Sequence, residues 1–356
     1  MPSRAYNLKI GYSVAEDEST ILELEQLVWG QEEPGSPPYF QWQYLQNPLG
    51  RTLTGSMASS TGALAAHVAC MPVLVEMRQE YLRCGLVVNA VTHPQQRRQG
   101  LFERLARELI DEAHRIGLPL LITVPNESSF GVFKKKLGFH EIAKHCLMAK
   151  WIDPGVFLAQ HGFNAVGHAM SILARPFFSM GRTSLRAKTP GQIQCIEDIR
   201  SVAVEKLLHH SSYAWSREAR EWFHWRYAMH PTRRYQYVIA GSAQNPFALM
   251  VYHVMTPYCK AFLSDFLFAP DAPLDLLKGM ADFVVGSLRQ QGASAIWCIA
   301  KQKSVRAQLL KKCGFRAVVL GSRFAPRLLA RRMGSGLPES SLSEIELSFG
   351  SLVNCD

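Results

Sequence analysis

One stretch, Leu86 to Ala113 (LVVNAVTHPQQRRQGLFERLARELIDEA), constrains the fold more than any other. It reads as a buried strand, a basic glycine loop and an amphipathic helix. Leu86 to Val91 is an apolar run broken only by Asn89. His93-Pro94 ends it, because proline cannot donate to a strand ladder. After the loop, Leu101, Leu105, Leu109 and Ala113 recur every four residues, with Phe102 and Ala106 beside them, which predicts one buried helix face. Gly117 and Pro119 close that helix.

The loop sits where a helix begins. Free backbone N–H groups point outward there, and the helix dipole favours an anion. Arg97 and Arg98 add full charge, and Gly100 removes the Cβ that would hold a ligand off. The chemistry calls for a phosphate or diphosphate on Gln99, Gly100, Leu101 and Phe102. No Gly-Lys-Ser/Thr follows, so the loop is not a P-loop, and it lacks the three spaced glycines of a dinucleotide fold.

The stretch resembles motif A of the GNAT (Gcn5-related) N-acetyltransferases, Arg/Gln-x-x-Gly-x-Gly/Ala, which opens the third helix and binds the diphosphate of acetyl-CoA. Arg97, Gly100 and Phe102 fall on its fixed positions. Phe102 departs from the usual small residue, although a Gly-Leu-Phe version occurs in subfamilies of the group. PNESSFGVFKKKLGF resembles motif B. The resemblance implies that Asn126 ends the fifth strand and hydrogen-bonds the pantetheine arm where the fourth and fifth strands splay. It also places Val91 and Thr92 beside the thioester, and Ser129 and Phe133 along the arm. Asn126 has a second reading as a strand-end turn residue, and Ser129 as a helix N-cap. Phe133 stands where the family often has a tyrosine as general acid, and phenylalanine cannot donate a proton.

At 356 residues the chain has room for two domains. A repeat supports two. FQWQYLQNPLGR at Phe40 to Arg51 matches FHWRYAMHPTRR at Phe223 to Arg234, both Phe-x-Trp-x-Tyr-x-x-x-Pro-x-x-Arg, and KKLGF at Lys135 to Phe139 matches KKCGF at Lys311 to Phe315. Repetition at domain length signals a duplicated folding unit. The expected fold is therefore α/β (α+β mixed sheet): two tandem GNAT-like domains, each a mostly antiparallel sheet flanked by helices. Residues 1–150 form the acetyl-CoA-binding domain, 151–191 a linker with an amphipathic helix in Phe157 to Met180, and 192–356 a second domain. Glu141 to Met148 is expected to close the first sheet, and Arg316 to Leu320 with Ile345 to Leu352 the second. The 176-residue offset between the Gly-Phe pairs puts Pro273, Leu274, Asp275 and Leu276 where the first repeat has Arg97 to Gly100. A missing N–H and an acid there argue against a second diphosphate site. Tyr44 and Tyr227, present in both boxes, read as packing.

The net charge of +10 favours anionic ligands. No basic run is interleaved with aromatics, so nucleic acid is not expected. The eight cysteines are scattered without a Cys-x-x-Cys pair, which predicts no metal site, reduced thiols and a cytoplasmic location. No apolar run is long enough to span a bilayer, although the linker leaves weak membrane-surface contact open. Monomer and homodimer both fit.

The resemblance implies an acyl-CoA-dependent N-acyltransferase with acetyl-CoA as cosubstrate and a small-molecule amine or amino sugar as acceptor. Backbone N–H groups near Ala90 to Thr92 would polarise the thioester carbonyl. Candidate bases are Glu33, in the loop bordering the acceptor site of such a fold, and Asp265, a lone acid in FLSDFLF that also reads as a structural carboxylate. His93 caps a turn or faces the cofactor. Two alternatives stay open: a FemAB-like aminoacyl transferase, against which the Arg-x-x-Gly loop argues, and a non-catalytic acyl-CoA-binding module.

Overall fold

The computed structural model describes residues 6–30, 35–77, 80–142, 144–160, 192–208, 213–255, 259–318, 327–334 and 336–348. Glu33, most of the expected linker helix and residues 349–352 lie outside them. The chain forms two units. One comprises Met1–Ala143, Met229–Thr232 and Arg327–Ile345; the other comprises Lys144–Ala228, Arg233–Pro326 and Glu346–Asp356.

The first unit is built on strands β1 (Asn7–Tyr12), β2 (Leu53–Ala58), β3 (Leu64–Met77), β4 (Glu80–Thr92), β5 (Leu120–Thr123) and β6 (His140–Glu141). Helices α1 (Glu18–Trp29) and α2 (Pro37–Phe40) cover one face, packing Ile21, Leu22 and Phe40 on Ala69. Helix α3 (Leu101–Arg115) covers the other with the apolar face that its spacing predicts: Leu101, Leu105, Ala106, Leu109, Ile110 and Ala113 are buried. Each large side chain among them stabilises the fold by ~1.5–3 kcal/mol. The exposed Arg107–Glu103 pair at 3.0 Å adds little. Helix α4 (Glu127–Lys136) follows β5.

The second unit carries β7 (His145–Trp151), helix α5 (Pro154–Gln160), β8 (Ile193–Ile196), helix α6 (Tyr213–Phe223), β9 (Tyr235–Gly241), β10 (Pro246–Met255), β11 (Lys260–Phe268), helix α7 (Leu274–Gln290), β12 (Ala295–Lys301), helix α8 (Val305–Lys312) and β13 (Arg316–Ala317). Along the two strand paths the neighbours pair antiparallel except β4 with β5 and β11 with β12, which form short parallel pairs. The mixed α/β class and the tandem plan are thus as the sequence predicts.

The order of strands corrects one expectation. The sheets run β1-β2-β3-β4-β5-β14-β6 and β13-β7-β12-β11-β10-β9-β8, where β14 is Leu329–Arg332. The segment expected to close the first sheet breaks after Glu141. Its remainder, β7, pairs along its full length with β12, from Trp151↔Ala295 to His145↔Lys301. Residues from the far end of the chain take the vacated place: Leu329 pairs with Thr123 and with Glu141. The last short strand, β15 (Ile345–Glu346), also joins the first sheet, on β3, rather than closing the second. Side-chain alternation is the same whichever neighbour a strand has, so periodicity could not reveal this exchange.

Two features repeat in both units. The Phe-x-Trp-x-Tyr box forms a π-helical turn each time, Gln41–Leu45 and His224–Ala228, with Gln46 N–H donating to Gln41 O at 3.0 Å. The aromatics of both boxes are at most 2% exposed. Each unit also bulges its central strand. Between His67↔Val91 and Ala69↔Val88, Asn89 and Ala90 face the single residue Val68; between Val251↔Asp265 and Tyr252↔Leu263, Ser264 is extra.

Candidate active site

Strand β4 pairs with β5 only from Gly85↔Leu121 to Val87↔Thr123. Beyond the bulge, Val91 and Thr92 pair with β3 alone, and the gap beside them is the splay that the sequence reading expects. The chain then makes a 3-10 turn, Pro94–Gln96, capped by His93 Nδ1, which accepts from Gln95 N–H at 3.2 Å. His93 is therefore a turn cap.

The loop places two left-handed residues, with one residue between them, before α3. Arg98 has φ +64° and Gly100 has φ +74°, and nothing lies within 4 Å of a Cβ built on Gly100. The first helical bond is Arg104 N–H to Gly100 O at 3.1 Å, so the N–H groups of Leu101, Phe102 and Glu103 precede the helical ladder. No side chain caps them. An uncapped N-terminus opening onto free space is an anion cradle. A cavity of about 190 Å3 lies there, lined by Thr92, Arg97, Arg98, Gly100, Leu101 and Phe102. Gln96, Glu103, Val132 and Lys136 line it too and were not singled out from the sequence. Lys136 joins because α4 ends beside α3, held by its 2.6 Å pair with Glu103.

The remaining expected residues lie elsewhere. Gln99 faces away, accepting from Tyr6 Oη at 3.0 Å and donating to Gln96 at 3.0 Å. Asn126, and not Ser129, is the N-cap of α4: its Oδ1 accepts from Ser129 N–H at 3.0 Å and from Ser128 Oγ at 2.7 Å. Phe133 is 2% exposed, with its ring edge-on to Phe102 at 5.4 Å and to Phe139 at 5.0 Å, so it is a core residue. Val91 is likewise buried.

A buried polar cluster on the α1–α2 face was missed. The Tyr44 hydroxyl lies 2.9 Å from Glu25 Oε1, 3.0 Å from His67 Nε2 and 2.8 Å from Asn89 Nδ2. Asn89 also donates to Gln43 Oε1 at 3.0 Å, and His67 Nδ1 is 3.2 Å from Ser56 Oγ. Glu25, Tyr44 and His67 are all fully buried. Burial raises the Glu25 carboxyl to about 8 and lowers the His67 imidazole to about 4. The Tyr44 hydroxyl donates to Glu25 Oε1, and its contact with His67 Nε2 suits a neutral imidazole. Glu25 Oε2, buried without a hydrogen-bond partner, also suits a neutral acid. The available signal was polar residues, His67 and Asn89, inside apolar strands. Asn89 holds φ +51°, which asparagine tolerates better than most residues.

The second unit reproduces this arrangement with other residues. Asp265, at the 176-residue offset from Asn89, accepts from the Tyr227 hydroxyl and is 6% exposed. Burial holds its carboxyl above the usual range, while hydrogen bonds from Ser348 and Tyr227 oppose that rise. Arg226 and Arg306 supply nearby positive charge. Helix α7 begins after Pro273 with Asp275 in its first turn. At the 176-residue offset Pro273 and Leu274 replace Arg97 and Arg98 and Asp275 replaces Gln99, so that end has an acid and lacks both arginines of the first unit's loop. Among the described residues, no group of three His, Cys, Asp or Glu side chains could hold a metal ion, and no helix is long and apolar enough to cross a membrane.

The family profile described as an acetyltransferase (GNAT) domain matches residues 10–141. No curated protein matches the sequence. Among solved structures, a GCN5-related N-acetyltransferase from Anabaena variabilis superposes with TM-score 0.60 at 9% identity, over 92% of this chain and 73% of that one. A probable N-acyltransferase from Enterococcus faecalis gives 0.60 at 12% identity over the same shares. A tandem GNAT protein from the clavulanic acid biosynthesis pathway gives 0.53 at 13% identity, over 93% of this chain and 100% of that one. At these identities the likeness is one of fold. The family profile thus covers residues 10–141, and over the whole chain the fold is like that of a tandem GNAT protein.

Proposed function

We propose that this chain is an N-acetyltransferase whose first unit holds acetyl-CoA and passes the acetyl group to a primary amine of a small molecule or amino sugar within a ternary complex. The observation that carries this reading is the uncapped, glycine-led start of α3 beside Arg97 and Arg98, next to a splayed β4. The residues fit the coenzyme: three forward-facing N–H groups and two guanidinium ions match a diphosphate. Bound coenzyme supplies an activated thioester. The chain's part is to orient it, to polarise its carbonyl through β4 backbone N–H groups near the Asn89 bulge, and to keep the amine neutral. The amine nitrogen bonds to the acyl carbon, the C–S bond breaks, and the amine's proton ends on the thiolate.

Glu33 remains the proposed base. The burial of Asp265 and its bond from Tyr227 support a structural role for that residue. The coenzyme-binding module without catalysis is the second reading, favoured by one observation: the cavity at α3 is lined by no Tyr, Cys or His, and Phe133 is buried. Thiol release from acetyl-CoA with a panel of amines decides. Amine-dependent thiol release supports the transferase; tight coenzyme binding without thiol release supports the module. The FemAB-like alternative predicts no coenzyme binding.

A further inference from the structure

The first unit has another cavity, of about 390 Å3, that the chemistry above does not use. Arg107 of α3, Lys136 at the end of α4, His140 of β6, and Arg331 and Arg332 of β14 line it, and among the described residues no carboxylate does. Two of these cations share an acid, Glu103. It pairs with Arg107 at 3.0 Å and with Lys136 at 2.6 Å, so one negative charge serves two cations. Arg331 donates to the Leu137 carbonyl at 2.6 Å, and Arg332 donates to the Leu337 carbonyl. Among the described residues neither arginine has a carboxylate partner.

Capping α4 accounts for Arg331, since a cation at a helix C-terminus is favourable. It does not account for Arg332, His140 and Arg107 gathering at the same concavity. Like charges brought together in a concave site repel and focus a positive potential, which an anion relieves. Guanidinium forks match the planar oxygen pairs of phosphate. The concavity is also continuous in residues with the cradle at α3: Lys136 lines both. A ligand seated on α3 by its diphosphate therefore shares a cation with this basin. Coenzyme A carries a 3′-phosphate monoester in addition to its diphosphate.

We propose that this basin, hung on strand β14 from the far end of the chain, binds a phosphate monoester, either the 3′-phosphate of the coenzyme or a free phosphate. The first source rests on the function proposed above; the second does not. The consequence for the coenzyme is selectivity: the site discriminates the phosphorylated form from its 3′-dephospho analogue, using side chains that the motif A loop does not contain.

Calorimetric titration of the full chain with acetyl-CoA, acetyl-3′-dephospho-CoA and inorganic phosphate tests this, on the unaltered protein and on Arg332→Ala and His140→Gln. Circular dichroism verifies that each variant folds; Arg331 is left intact because it caps α4. The expected result is that acetyl-CoA binds about tenfold tighter than the dephospho form, and that Arg332→Ala removes the difference while leaving dephospho affinity unchanged. If both coenzyme forms bind equally but inorganic phosphate binds in an Arg332-dependent way, the basin holds free phosphate. Equal binding of both forms together with no Arg332-dependent phosphate binding overturns the proposal. Failure of both coenzyme forms to bind refutes the acyltransferase reading instead, and the phosphate titration alone then judges the basin.

Discussion

The Tyr44 hydroxyl accepts a hydrogen bond from Asn89 Nδ2 at 2.8 Å, and the Tyr227 hydroxyl meets Asp265 at the matching place in the second unit. In both, the tyrosine of a π-helical box ties a helix to the bulge of the central strand. The duplicated box is therefore more than packing: its third aromatic is also a polar anchor.

That anchor predicts matched stability losses. Tyr44→Phe leaves the Asn89 amide short of a partner, and Tyr227→Phe does the same to the Asp265 carboxyl. Each is expected to destabilise its unit by about 1–3 kcal/mol, the cost of stranding a buried polar group. Denaturant unfolding of the two variants measures it. No change in either would remove the anchoring role.

Glu25 predicts a pH dependence with a definite sign. Its folded-state carboxyl titrates at about 8, above the ordinary value of 4.5. The native state therefore holds an extra proton between these values, and stability falls as pH rises through the interval. His67, lowered to about 4 from 6.5, acts the opposite way below 6.5. The uncompensated fall should appear between about pH 6.5 and 8, with a slope of up to ~1.4 kcal/mol per pH unit. Melting curves of the unaltered protein and Glu25→Gln across this range test it. The variant should lose the slope; an unchanged slope would refute the protonated assignment.

Much of this was legible in the sequence, for identifiable reasons. The spacing of Leu101, Leu105 and Leu109, the Arg97–Gly100 loop and the duplicated box are local signals, and local signals survive into the fold. The partner of β14 was not legible. Leu329–Arg332 is short and half charged, and pairing with Thr123 depends on residues two hundred positions earlier. Lys136 entered the cradle, and Phe133 left it, through the packing of α4 on α3. Glu25 carries no local signal, because its burial comes from tertiary contacts.

The exchanged strand predicts a failed truncation. A chain ending at Ala143 lacks β14, leaving β5 with an unpaired edge and Leu329 and Ala330, both fully buried, missing from the core. Exposed edges aggregate. The fragment 1–143 should be insoluble or unfolded, and co-expression with residues 327–348 should recover it. A soluble, cooperatively folded 1–143 fragment would contradict the topology.

Gly100 offers a test of the cradle that is separate from charge. Its φ of +74° makes Gly100→Ala cost about 1 kcal/mol of stability, while the added methyl meets no protein atom. The methyl should instead obstruct the ligand, so coenzyme affinity falls more than stability does. Parallel melting and binding curves separate the two; an unchanged affinity would move the ligand elsewhere.

The central claim is that a single diphosphate site per chain sits on Arg97, Arg98 and the start of α3. Calorimetric titration with acetyl-CoA measures it most directly. The account predicts one site per chain, with affinity reduced about ten- to a hundredfold in Arg97→Ala/Arg98→Ala and unaffected by Asp275→Ala. Two sites per chain, or full affinity in the double-arginine variant, would contradict it.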